Sequence, residues 1–216
     1  MRALIFGASG LIGNELLKLT LNDPYFSKVA VVVRKKLPIA NFKLTQIIST
    51  FEELEANRNS LQGDILFSCL GTTKSKTPDP NEYYKIDHDY PVLGSKIALE
   101  NGAQYIHLVS SMGADSSLSN SYLKMKGEIE DDISKLAFQG IHFYRPSLII
   151  GKRAESRPLE KISMLIFNII NPLLLGSLKN YRSIKATDIA KAMLSQAKKE
   201  IKGIHVYQSN NIKELA

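Results

Sequence analysis

Apolar positions along this chain follow two rhythms. Residues 3–6, 28–33, 44–49, 64–70, 103–109, 140–150 and 203–207 form short runs rich in apolar side chains, read as strands, several of them apolar on both faces. Residues 11–21, 81–100, a stretch from about 122 to 136 and another from 187 to 199 show the spacing of helices. Residues 51–59 are expected to form a short helix capped by Thr50, and the tail after Ser209 is expected to be loosely held. This alternation predicts an α/β protein with a doubly wound, mostly parallel sheet and helices on both faces. The 216 residues suffice for one such domain, residues 1–216, in which about 151–185 form a small C-terminal cap over the substrate. Within the cap, 152–158 read as a polar loop and 159–175 as a mainly apolar helix ended around Pro172.

Composition narrows the function classes. With 44% hydrophobic and 23% charged residues the chain has the make-up of an ordinary globular protein. The lone Cys69 excludes an internal disulfide and a cysteine-based metal site, and the histidines are scattered, so no metal is expected. The opening MRALIFGASG reads as a strand and lacks the features of a signal peptide; with the single cysteine this predicts a cytoplasmic protein. The apolar stretch 162–178 is interrupted by Ser163, Asn168, Asn171 and Pro172, so no transmembrane segment is expected; residues 162–175 suit a cover for the pocket or a surface for a protein partner. The net charge of +7 is dispersed over small clusters, Arg34-Lys35-Lys36 among them, without interleaved aromatics. That pattern fits solvated faces and a site for a polyanionic cofactor, and no nucleic acid is expected.

The most informative local pattern joins the first strand to the first helix. Gly7, Gly10 and Gly13 fall where a buried strand turns into a helix, with Ser9 placed to cap the helix or touch phosphate. The first glycine permits an unusual backbone angle, the second lets the main chain approach a pyrophosphate, and the third allows helix and strand to pack closely. The helix N-terminus then presents unpaired N–H groups to an anion. The second strand ends in Arg34, 21 residues past Gly13 and followed by Lys35, where a basic residue suits the 2′-phosphate of NADP. The carboxyl end of the fourth strand, Cys69, Leu70, Gly71 and Thr72, is expected to line the same crevice.

A second constellation follows the fifth strand, which delivers Ser110 and Ser111. Tyr122 and Lys126 lie one helical turn apart on one face, whereas Lys124 points away. An ammonium beside a phenol favours the phenolate, which makes such a pair a proton donor and acceptor near neutral pH. A serine hydroxyl beside it can hold a substrate oxygen.

With these residues in place, the chain resembles an atypical short-chain dehydrogenase/reductase, and more closely the Tat-interacting-protein-like group, over nearly its whole length. The motifs that carry the resemblance are GASGLIG at 7–13, VRKK at 33–36, CLGTT at 69–73, DHDY at 87–90, LVSSMGAD at 108–115, Tyr122 with Lys126, and ESRP at 155–158. Many members of the wider superfamily carry an acidic residue after the third strand, where this chain has Thr50. The resemblance implies NADP(H) held at Gly7, Ser9, Gly10, Leu11, Ile12, Arg34, Lys35, Leu70 and Gly71, in a Rossmann-type fold. It also implies a Ser-Tyr-Lys catalytic set, with the serine at Ser111 or, failing that, Ser110. The end of the sixth strand, Arg145 and Pro146, is implied to face the nicotinamide.

Two readings of function follow. One is an NADP(H)-dependent oxidoreductase acting on a small carbonyl or alcohol through Ser111, Tyr122 and Lys126. The other is a cofactor-binding regulator that acts through a protein partner with little turnover. A sugar-nucleotide epimerase would use the same residues but needs a larger substrate domain.

Overall fold

The apolar run behind the glycine turn becomes β1 (Arg2–Phe6), and its alternation decides the layering: Ala3 and Ile5 enter one core, Leu4 and Phe6 the other. The computed structural model describes residues 1–151 and 181–216. In chain order β1 leads to α1 (Leu11–Asn22), β2 (Lys28–Val33), β3 (Leu44–Ile48) and β4 (Ile65–Ser68). Then come α2 (Pro80–Tyr84), a π-helical turn (Lys85–Asp89) and α3 (Tyr90–Glu100). β5 (Tyr105–Val109), α4 (Ser121–Ser134), β6 (Gly140–Arg145) and a short β7 (Ile149–Ile150) follow. After residue 180 come β8 (Ile184–Lys185), α5 (Ala186–Ala197), β9 (Gly203–Gln208) and α6 (Ser209–Glu214).

Among the described residues, seven strands form one parallel sheet in the order β3-β2-β1-β4-β5-β6-β9. The order reverses beside β1, so the crevice at the carboxyl ends of β1 and β4 is a topological switch point, where ligands of open α/β sheets sit. One face is covered by α1, α5 and α6 around Leu16, Leu17, Ile189 and Met193; the other by α3 and α4 around Val92, Ile97, Ile129 and Ile133. The doubly wound Rossmann-type fold expected from the sequence is what the chain adopts.

Four local expectations need correction. Residues 51–59 are a run of turns closed by a 3₁₀ turn at Arg58–Ser60; Leu54 is the one fully buried side chain there, too little for an apolar stripe. Thr50 donates its backbone N–H to the Glu53 carboxylate at 3.1 Å. The sixth strand ends at Arg145 because Pro146 has no N–H for the ladder, and Ile149–Ile150 pairs instead with β8. The tail after Ser209 is anchored: it forms α6, and Ser209 and Ile212 are fully buried. Most of the cap expected over 151–185 lies outside the described residues, as do Lys152, Arg153, the ESRP motif and the apolar 162–175 segment.

Candidate functional site

The site is built from strand ends. Gly7 leaves β1 at φ +78°, and its carbonyl accepts the Gly10 N–H at 2.9 Å, closing the turn. A Cβ on Gly7 would lie 2.5 Å from the Cys69 carbonyl oxygen, and one on Gly13 only 2.1 Å from the Gly7 oxygen. The third glycine therefore lets α1 rest on the turn, as the spacing predicts. Gly10 stands at the N-cap of α1 and no side chain caps the helix, so its first-turn N–H groups face the crevice with their partial positive charge. Ser9 and Gly10 are exposed, Leu11 is half-buried, and Ile12 is buried in the core. This cradle, which side chains would fill, fits a phosphate-bearing ligand.

Two neighbouring strands complete the wall. β2 runs parallel to β1, with Val32 level with Phe6, so Arg34 and Lys35 emerge exposed beside the glycine turn. β4 lies on the other side, where the Cys69 N–H donates to the Phe6 carbonyl at 3.0 Å. Burial pushes the Cys69 thiol up to about 12, so it stays protonated and acts as a small packing residue. Leu70 and Thr72 are half-buried and Gly71 is exposed at the crevice.

The serine pair divides at the end of β5. Ser110 is buried and donates its hydroxyl to Glu130, whose carboxylate also takes both arms of the Arg145 guanidinium. Ser111 is half-buried, with one long contact, 3.4 Å, to the Met112 carbonyl. Ser110 and Arg145 thus belong to a network beneath the strand ends, while the Ser111 hydroxyl is the less committed of the two. The Pro146 carbonyl accepts the Met112 N–H at 3.0 Å and ties the ends of β5 and β6 together.

Asn120 caps α4 by accepting the N–H groups of Tyr122 and Leu123, both at 3.1 Å. Gly127 lets the 111–118 loop lie against that helix: a Cβ there would meet the Ser116 nitrogen at 2.1 Å. The same loop is tied to the helix by the Asp115 N–H, which donates to the Leu123 carbonyl at 3.1 Å. Tyr122 is half-buried, Lys126 is buried and Lys124 is exposed, as the helical spacing predicts. The Lys126 Nζ lies 2.9 Å from Asp87 Oδ1, with side-chain exposures of 5% and 2%. Asp87 Oδ2 accepts the Thr72 N–H at 2.7 Å. Tyr83 stands nearby, its hydroxyl pushed up by burial and then by the charges of Asp87 and Tyr122.

Asp87 and Glu130 are the residues that reading the sequence missed as members of the site. Asp87 was visible in the DHDY motif, and Glu130 follows Lys126 at the same i, i+4 spacing that links Lys126 to Tyr122. Among the described residues no cluster of metal-ligating side chains occurs and no helix is long and apolar enough to cross a membrane.

No protein-family model matches the chain. It is 33% identical over 211 residues to "Protein FMP52, mitochondrial" of Candida albicans, covering 94% of this chain and 90% of that one. It is 37% identical over 167 residues to "Protein HTATIP2" of Rattus norvegicus, covering 76% and 69%. The FMP52 protein of Saccharomyces cerevisiae, also named mitochondrial, is 38% identical over 162 residues, covering 73% and 69%. In fold the chain is similar to "MoeE5 in complex with UDP-glucose and NAD" (TM-score 0.70, 18% identity, 98% of this chain and 79% of that one). It is also similar to a UDP-glucose 4-epimerase with UDP-glucose from Thermotoga maritima (TM-score 0.69, 16% identity, 99% and 81%). The mitochondrial names of the FMP52 relatives overturn the expectation of a cytoplasmic protein. A lone cysteine argues against an internal disulfide and does not distinguish the cytosol from other reducing compartments.

Proposed function

This chain belongs to the family of HTATIP2 and FMP52, a Tat-interacting-protein-like group of atypical short-chain dehydrogenases/reductases, and we propose on that premise that it is a nicotinamide-dinucleotide-dependent oxidoreductase preferring NADP(H). The observation that carries the reading is the convergence of an uncapped α1 N-terminus, the Gly7–Gly10 turn and Arg34 at the carboxyl ends of β1 and β2, with Tyr122 and Lys126 on the helix after β5. The N–H groups of Leu11 and Ile12 would hold the pyrophosphate, with the Gly10 main chain and Ser9 beside it. Arg34 and Lys35 would take the 2′-phosphate, and Leu70 to Thr72 would flank the adenosine half. The half-buried Cys69 would support that strand end from behind.

When bound, the nicotinamide supplies or accepts a hydride. The chain's own residues handle the oxygen and the proton. Ser111 orients the substrate oxygen by hydrogen bonding, and Tyr122 gives or takes the proton at its hydroxyl. Lys126 would supply fixed positive charge on the helix face of Tyr122 and would donate to the ribose. The substrate is a small carbonyl or alcohol compound, and the single domain spans residues 1–216.

Calorimetric titration with NADPH and NADH, followed by NADPH oxidation over a panel of small aldehydes and ketones, tests the reading. Tighter binding of NADPH with turnover of at least one carbonyl is expected. Binding without oxidation of any carbonyl would favour the regulator instead, and failure to bind either nucleotide would remove the whole reading.

A further inference from the structure

We propose that Asp87 is a positioning residue, whose single carboxylate fixes both the Lys126 ammonium and the Gly71–Thr72 turn so that the cofactor-facing loop and the Tyr122–Lys126 pair are held as one unit. The inference rests on the dinucleotide reading for its consequence, and on geometry alone for the coupling itself. Asp87 Oδ1 accepts from Lys126 Nζ at 2.9 Å, and Oδ2 accepts the Thr72 N–H at 2.7 Å. Both charged groups are almost wholly withdrawn from water, so each is the other's main compensation for lost hydration. Gly71 lies against the same carboxylate, for a Cβ there would meet Asp87 Oδ1 at 3.4 Å.

The route by which Asp87 reaches this position is in the helix that carries it. Between α2 and α3 the chain makes a π-helical turn, Lys85–Asp89, within which Asp87 and His88 are buried while Lys85 and Asp89 are not. A π turn inserts one extra residue per turn and so re-aims the side chains that follow it. Here the re-aimed carboxylate enters the gap between the end of β4 and α4, two elements with no direct backbone pairing. A uniform surface helix would gain nothing from a buried carboxylate at this place, because the cost of desolvation is met only by the two donors from other elements.

The coupling predicts more than a local loss of stability. Substituting Asn for Asp87 keeps the shape but replaces one acceptor oxygen with an NH2 donor, so that Lys126 and the Thr72 N–H no longer each face an acceptor, and it removes the countercharge of Lys126. The Lys126 amine is then released from its pairing with Asp87.

Two measurements on the full chain test this. The first is acylation of Lys126 by an amine-reactive reagent without nucleotide, followed by mass spectrometry, with the exposed Lys135 as internal reference. Asp87→Asn should raise the Lys126 rate at least tenfold against Lys135, and Asp87→Glu, which keeps the charge, should raise it less. Equal rates in wild type and Asp87→Asn would overturn the proposal. The second is a double-mutant cycle on NADPH affinity with Asp87→Asn and Lys126→Met. Each single change should weaken binding about tenfold, and the double variant should be little weaker than either. Fully additive losses would mean that Asp87 does not act through Lys126, and would also overturn it. If the wild type binds no dinucleotide while Asp87→Asn still frees Lys126, the positioning stands and the cofactor reading falls.

Discussion

Glu130 holds Arg145 in a two-pronged ion pair, Oε1 to Nε at 3.0 Å and Oε2 to Nη2 at 2.6 Å, directly beneath the ends of β5 and β6. The same carboxylate takes the Ser110 hydroxyl, so three residues from three elements share one buried charge. Ser111, one residue further on, takes no part in this network and makes only the long contact to the Met112 carbonyl.

Removal of Glu130 should therefore be costly. Glu130→Ala leaves a guanidinium and a hydroxyl without their acceptor and is expected to lower stability by about 3 kcal/mol. Replacing the pair by apolar side chains, Glu130→Leu with Arg145→Met, should recover most of the loss. Urea denaturation followed by circular dichroism measures both.

The serine assignment separates in kinetics. Ser111→Ala should reduce turnover about a hundredfold with NADPH affinity little changed. Ser110→Ala, by contrast, should act mainly on stability. Turnover lost equally in both would contradict the division of roles.

Tyr122→Phe removes the proposed proton donor and leaves the ring. Turnover is expected to fall by about a hundredfold or more while calorimetry still detects NADPH binding. Retained turnover would place the proton transfer elsewhere.

Cofactor choice is expected to turn on Arg34. Arg34→Ala should weaken NADPH by roughly tenfold or more, the scale of one lost charge-assisted contact, and leave NADH nearly unaffected. The first turn offers a contrast within the same experiment. Gly13→Ala forces a clash with the Gly7 carbonyl and should impair folding and binding together, whereas Gly10→Ala, whose Cβ would stand 3.1 Å from that oxygen, should fold and lose mainly affinity.

Acid should loosen the far side of the sheet. His107, His142 and His205 lie at the same level on β5, β6 and β9, with His142 stacked on His107 at 4.4 Å and on His205 at 5.0 Å. Burial, with a further contribution from His205, lowers His142 to about 4, and burial also lowers His107. A histidine whose folded value is depressed keeps its stabilising effect above its unfolded value, near 6.5, and loses it as pH falls toward the folded value. For His142 the loss between about pH 6.5 and 4 is about 3 kcal/mol. His142→Phe should flatten that part of the stability curve in denaturation measured pH by pH.

The sequence by itself determined the layering and the placement of the main motifs. Strands apolar on both faces have to be covered on both faces, and glycines at 7, 10 and 13 are spaced for a helix seated on its own strand turn. Tyr122 and Lys126 share a helix face because they are one turn apart, which is a local property of α4. The helix expected at 51–59 failed for a related reason, since propensity without an apolar stripe gains little from packing. What only the tertiary structure decided is which polar side chains are withdrawn from water. Asp87 stands in the DHDY motif and Glu130 one turn past Lys126, but neither local signal says that the carboxylate is withdrawn from water. Their partners, Thr72 and Lys126 for the one, Ser110 and Arg145 for the other, stand on elements brought together by the sheet order. Burial of a charge is favourable only once those donors have been assembled around it, and that assembly is a property of the folded chain.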